Sequence, residues 1–246
     1  MKILEYKLER LLKSMNVNRN SPEGIISFFL ETPERRKLLI DLMTVPETRF
    51  FREKEQLDTL FDSVLKGSFT LDIASIGCST GQEPYTLAMM MRRRGISGRV
   101  VGMDINEGVL EKARTGIYRK DEIKDIPEEY REYVILKNDY LEIDSGIKKW
   151  VEFRQVNLIE PRSFEPLRCK FDVVLCRNVL IYFNKKSKEV ALTNLRDVLR
   201  HRGILVLSST EILRKEYYNF FEPFKEGKFF FYRKKEKEDD KGSCGR

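Results

Sequence analysis

A short apolar run, Leu71–Ile76, ends in Gly77-Cys78-Ser79-Thr80-Gly81, and a helical pattern follows at once over Glu83–Arg94. This strand–turn–helix most constrains the fold. The change from a strand-like run to helical spacing fixes two elements, and the glycines between them let the backbone pass close to a ligand. A second strand, Arg99–Ile105, carries Asp104 near its end, 23 residues beyond Gly81. In doubly wound sheets an acidic residue at that point binds ribose hydroxyls. The turn lacks the G-x-G-x-x-G pattern and a P-loop lysine, so a nucleoside site is favoured over a phosphate cradle. On spacing alone, a tight turn beside an exposed aspartate remains the alternative.

The alternation continues with a helix at Glu107–Arg114, a buried strand at Phe171–Cys176, a helix at Ser187–Arg200, and strands at Gly203–Ser209 and Lys228–Arg233. Strands alternating with helices predict an α/β, doubly wound, mainly parallel sheet over residues 70–233. Residues 117–156 break the rhythm. They read as an insertion, with small antiparallel strands at Tyr133–Leu136, Tyr140–Ile143 and Trp150–Val156; a docking platform and a plain surface excursion fit it equally. Residues 1–45 read as a separate helical domain. Ile3, Leu4, Leu8, Leu11 and Leu12 recur at helical spacing, and Ser21-Pro22-Glu23 and Thr32-Pro33-Glu34 are helix starts. Residues 46–69 are a linker and a further helix, and the polar tail 234–246 is expected to be disordered.

Hydrophobic residues make up 41% of the 246, enough for a packed core, and no apolar segment is long enough to span a membrane. With no signal-peptide pattern, the cytoplasm is the expected location. Four cysteines without a C-x-x-C pair and a single histidine, His201, make a metal site unexpected. Cys78, Cys169 and Cys176 read as reduced core residues. The net charge of +7 suits either an acidic partner or a solvated basic surface.

Several stretches resemble the CheR family of chemotaxis receptor methyltransferases. They are Thr48-Arg49-Phe50-Phe51-Arg52, Gly77-Cys78-Ser79-Thr80-Gly81-Gln82-Glu83-Pro84-Tyr85, Gly102-Met103-Asp104-Ile105, Asn157-Leu158, and Cys176-Arg177-Asn178-Val179-Leu180-Ile181-Tyr182-Phe183. They stand in the family's order over residues 44–210. The resemblance implies a Rossmann-like S-adenosylmethionine-dependent methyltransferase sheet, a small all-helical N-terminal domain and an inserted antiparallel β-subdomain. It implies transfer of a methyl group to glutamate side chains of a methyl-accepting chemotaxis receptor, leaving S-adenosylhomocysteine.

The resemblance also implies site roles. Thr48 and Arg52 lie over the cofactor in the linker, Gly77 belongs to the cofactor-binding turn, Glu83 meets the methionine part or its surroundings, and Asp104 meets the ribose. Asn157 and Leu158 flank the adenine, Arg177, Asn178 and Val179 line the methionine end, and Tyr182 stands near the transferred methyl. Two positions depart from the family pattern: Gln82 replaces the first of two common acidic residues, and Pro46 replaces a common Asn.

A glutamate with an ordinary pKa of about 4.3 is ionised at neutral pH and needs alignment rather than a general base. Arg52 can orient that carboxylate, or it can serve as a structural ion pair to Glu83. Tyr182 can act at the methyl, or it can be a core aromatic. A non-catalytic module of the same fold and a nucleic-acid methyltransferase are the rival readings. The first would lose the site residues, and the second lacks an Asn-Pro-Pro-Tyr signature here, so no nucleic-acid partner is expected. Arg35, Arg36 and Lys37, joined by Arg10 and Lys13, form a basic cluster suited to acidic receptor helices. Receptor-tethered relatives carry a glycine-rich turn in the β-subdomain; Leu136-Lys137-Asn138-Asp139 has no glycine, so direct docking by a monomer is expected.

Overall fold

Ser21 and Thr32 start helices as their sequence context predicts. Ser21 accepts the Gly24 N–H at 3.0 Å and caps α1 (Pro22–Leu30). Thr32 accepts the Arg35 N–H at 3.2 Å at the start of α2 (Pro33–Met43). Leu12, Phe28 and Phe29 are buried here, with Ile25 and Leu39 packed against them. The structure, a computed structural model, describes residues 10, 12, 21–43 and 47–235. Ile3, Leu4, Leu8, Leu11, Lys13, Pro46 and the tail beyond Lys235 lie outside the described residues. The chain divides into two units, Met1–Glu47 and Thr48–Arg246.

The second unit begins with the linker and α3 (Lys54–Thr59), which continues into a wider π turn over Leu60–Val64. There follow β1 (Thr70–Ile76), α4 (Gln82–Arg93), β2 (Ser97–Asp104) and α5 (Glu107–Thr115). Next come β3 (Ile117–Arg119), β4 (Val134–Leu136), β5 (Tyr140–Ile143), β6 (Val151–Gln155) and β7 (Phe171–Leu175). The chain then forms α6 (Lys185–Val198), β8 (Leu199–Val206), β9 (Phe221–Glu226) and β10 (Phe229–Lys234). The main sheet has the order β6-β2-β1-β7-β8-β10-β9. Its first five strands pair parallel, and β10 and β9 close it antiparallel.

The pleat of β1 shows why helices cover both faces. Leu71 and Ile73 belong to one core cluster with Leu87 and Met90 of α4. Ala74 and Ile76 belong to another with Leu192 and Leu195 of α6. Burying each leucine, isoleucine or methionine of these clusters stabilises the fold by about 1.5–3 kcal/mol, and alternation sends successive residues to opposite cores. The connections bring the C-terminal ends of β1, β2, β7 and β8 to one edge, where open α/β sheets bind ligands.

Three sequence expectations need correction. Trp150–Val156 was expected in the small antiparallel sheet, but β6 pairs parallel with β2 in the main sheet. The small sheet is β3-β5-β4, and its third strand is Ile117–Arg119. Lys234 does not begin the tail: it ends β10, buried, and its Nζ donates to the Leu199 carbonyl at 2.8 Å. Cys169 is not a reduced core residue; it is half-buried, at φ 52°, and disulfide-bonded. Cys78 and Cys176 are free and buried.

Candidate active site

The turn after β1 is fastened to the end of β2. The N–H groups of Gly77 and Cys78 both donate to the Met103 carbonyl, at 2.7 and 3.0 Å. Gly77 has φ +70°, and a Cβ there would stand 2.4 Å from Val179 Cγ2. No larger residue lets the turn approach the β7 loop this closely. Gly81, at φ +92°, opens α4. Asp104 receives the Ser79 N–H at 2.8 Å on one carboxylate oxygen and the Asn106 N–H at 3.0 Å on the other. Burial raises its pKa above the usual aspartate value, with these N–H bonds working against the rise.

Glu83 lies in the first turn of α4 and accepts from Ser75 Oγ at 2.7 Å and from Arg177 Nη1 at 2.9 Å. Arg177, whose side chain is 2% exposed, thus forms an ion pair with Glu83. The Nη2 atom of Arg177 donates to the Arg52 carbonyl at 2.7 Å and to Glu53 Oε2 at 2.9 Å. Glu53 accepts in addition from Ser208 Oγ at 2.7 Å and from the Ser209 N–H at 3.0 Å. One buried guanidinium therefore joins the linker to α4, and Glu53 carries the link on to the loop after β8. Phe51 N–H donates to Thr86 Oγ1 at 3.1 Å and ties the linker to α4 again. Thr48 and Arg52 are half-buried on this segment.

Gln82, the departure from the family pattern, is 3% exposed. Its amide accepts from Thr80 Oγ1 at 2.8 Å and donates to Glu122 Oε2 at 3.0 Å. A second acid at this position would face Glu122.

On the β7 side, Asn178 N–H donates to Glu211 Oε2 at 2.7 Å. Val179 packs on the core beneath. Asn157 accepts the Ile159 N–H at 3.2 Å and shapes its own turn. Leu158 is buried, with its carbonyl taking the Asn194 amide at 2.9 Å. Tyr182 is 74% exposed, which removes the core-aromatic alternative. Phe51, Glu53, Ser79 and Asn178 all have left-handed backbone, at φ 50–61°. Such strain costs about 1–3 kcal/mol per residue and gathers at functional sites.

The structure thus brings together Arg52, Gly77, Glu83, Asp104, Arg177, Asn178 and Val179. Arg35, Arg36 and Lys37 lie in the other unit. Arg35 is not an open docking charge: it pairs with Glu31 and stacks over Phe28 at 4.0 Å. Arg36 and Lys37 are exposed. Glu53, Ser75, Ser208 and Glu211 escaped the sequence reading. Glu53 directly follows the Thr48–Arg52 stretch, which is the one signal that pointed near it.

The donor set suits a nucleoside bearing an amino acid rather than a phosphate. Buried Ser79 Oγ, Arg177 Nε and Asn178 Oδ1 have no protein partner, and they offer donors and acceptors for a carboxylate and an ammonium. Fold and site define a Rossmann-like methyltransferase whose cofactor is S-adenosylmethionine. Residues 46–228 match the family described as "CheR methyltransferase, SAM binding domain". The chain belongs to the CheR methyltransferase family.

A chemotaxis protein methyltransferase of Borreliella burgdorferi is 31% identical over 86% of this chain and 80% of its own. Another, of Salmonella typhimurium, is 31% identical over 82% and 68%. Among solved structures, the rRNA methyltransferase AviRa of Streptomyces viridochromogenes has a TM-score of 0.50 at 12% identity, over 78% of this chain and 87% of that one. That likeness concerns the fold alone. Among the described residues, no helix is long and apolar enough to cross a membrane.

Proposed function

We propose that the chain esterifies glutamate side chains on cytoplasmic helices of a methyl-accepting chemotaxis receptor. Relatives named chemotaxis protein methyltransferases support the setting. The observation that carries the carboxylate acceptor is the fastening of Arg52. Its carbonyl is held by buried Arg177, and the same guanidinium binds Glu83, so the Arg52 backbone is fixed at the Glu83 end of the site. A guanidinium matches a carboxylate through charge-assisted hydrogen bonds.

Bound S-adenosylmethionine supplies a methyl group on a sulfonium, open to in-line attack. In this reading Asp104 accepts from the ribose, Asn157 and Leu158 flank the adenine, and Thr48 covers it. Gly77, Glu83, Arg177, Asn178 and Val179 hold the methionine part. Arg52 aligns the acceptor carboxylate and Tyr182 screens the reacting methyl from water. No proton moves, because the acceptor is already ionised. Alignment supplies the acceleration, about 7–11 kcal/mol in good cases.

The reading includes a cytoplasmic monomer that meets the receptor directly, through exposed Arg36 and Lys37 and with less from Arg35. The Leu136–Asp139 segment is a tight hairpin in which Lys137 N–H donates to the Tyr140 carbonyl at 2.9 Å, and it has no glycine. Charge reversal at Arg36 and Lys37 should slow receptor methylation several-fold and flatten its salt dependence. Strong stimulation of the rate by a tethering peptide on the receptor would remove the tether-free part. The central test is transfer of tritiated methyl to receptor-enriched membranes. Label released as methanol by mild alkali is the expected result; alkali-stable label would mean another acceptor.

A further inference from the structure

The loops that follow β7 and β8 run side by side and are tied twice. At the inner end, Glu211 Oε2 accepts the Asn178 N–H at 2.7 Å. At the outer end, Lys185 Nζ lies 3.8 Å from Glu216 Oε2. Beneath them Leu180 and Leu213 are buried in the same cluster, and the Leu213 N–H donates to the Tyr232 hydroxyl at 3.0 Å. The loops are therefore held to each other and to the sheet.

Between the ties stand Ile181, Tyr182 and Ile212, which are 57%, 74% and 65% exposed. One such side chain on a surface needs no account. Three large ones on two fastened loops form a patch, and patches of this kind mark interaction sites. The same loops and the start of α6 expose Lys185, Lys186, Arg214 and Lys215. Glu216, the exposed acid among them, is paired with Lys185. The patch is thus apolar between cations. It adjoins the reaction centre, because its loops start from Arg177 and Ser208, the two residues that grip Glu53.

We propose that this patch seats the helix carrying the acceptor carboxylate. The helix would lay an apolar stripe, residues three and four apart, on Ile181, Tyr182 and Ile212. Carboxylates flanking that stripe would meet the lysines and arginines. The occupant rests on the glutamate reading above. The new element is that the methyltransferase unit itself grips the acceptor helix, independently of α2.

Steady-state methyl transfer by the full chain to a purified receptor cytoplasmic fragment tests this. The double variant Ile181→Ser with Ile212→Ser removes the stripe's partner. It should raise the acceptor KM on the order of tenfold, while cofactor Kd and kcat at saturating acceptor stay near those of the parent. Lys186→Glu with Arg214→Glu should raise the same KM at low salt and flatten its salt dependence. These residues are solvent-facing, and matching thermal melts confirm that both variants fold. Parental KM values in both variants would overturn the seat while leaving the glutamate reading intact. If the unsubstituted protein leaves the fragment unlabelled, or labels it alkali-stably, the glutamate reading falls and the occupant with it.

Discussion

Arg177 Nη2 donates to the backbone carbonyl of Arg52 at 2.7 Å, across 125 residues of sequence. The same guanidinium binds Glu83 and Glu53. The linker is therefore bolted to the ends of the strands, and a buried cation at that junction serves stability and geometry together. Arg177→Met should destabilise the protein by about 3–5 kcal/mol, because it leaves two carboxylates without their cation. A melting midpoint equal to the parent's would remove Arg177 from this role.

Glu53 gives the junction a defined pH response. Burial opposes its ionisation, but the Ser209 N–H, the Ser208 hydroxyl and Arg177 outweigh it and lower its pKa. Its stabilising contribution is full above the unfolded value, about 4.3, and is lost as pH falls through the lower folded value. Glu53→Gln should thus be less stable than the parent at neutral pH, with the gap closing as the solution is acidified past the folded value. Melting curves of both proteins from neutral to acid pH measure the gap; a constant gap contradicts the assignment.

Asp104→Ala should weaken cofactor binding by about 1.5–3 kcal/mol, the range for hydrogen bonds to a charged group. It should also cost stability, since the Ser79 and Asn106 N–H groups lose their acceptor. Calorimetric titration with S-adenosylmethionine separates the two effects, and an unchanged affinity would move the ribose elsewhere.

Gly77→Ala places a Cβ against Val179 Cγ2 on a backbone at φ +70°. Overpacking of this kind costs about 1–3 kcal/mol. Adding Val179→Ala should recover the part due to the clash and leave the part due to φ. The double-mutant cycle reads that coupling directly; strict additivity of the two losses would mean that turn and loop do not touch.

Arg52→Ala and Tyr182→Ala should lower turnover far more than cofactor affinity, if both act at the acceptor end. Tyr182 is largely exposed, so its removal should change stability by no more than about 0.5 kcal/mol. Equal losses in kcat and cofactor affinity for Arg52→Ala would reassign it to cofactor binding.

The turn at Gly77–Gly81 was legible because hydrophobic period and glycine placement change together there. Asp104 was legible from its distance along the chain. Glu53 was not, since its Ser208 partner lies 155 residues away and a linker glutamate has no period to betray it. Tyr182 was ambiguous by residue type; the turn after β7 buries Leu180 and points Tyr182 outward. Val151–Gln155 alternates like any half-buried edge strand, and such a pattern does not state whether its partner runs parallel or antiparallel. Ile117–Arg119 is only three residues long, too short to show a period.

Gln82 settles how the inserted segment communicates with the cofactor turn. Its amide bridges Thr80 and Glu122, so the first residue of α4 and the insertion share a link whose helix end is uncharged. Two carboxylates at this separation would have to share a proton, and their contact would loosen as pH rose. An amide has no proton to lose. The Gln82 end of this link therefore carries no titration of its own, and the insertion is tied to the residue that directly follows Gly81.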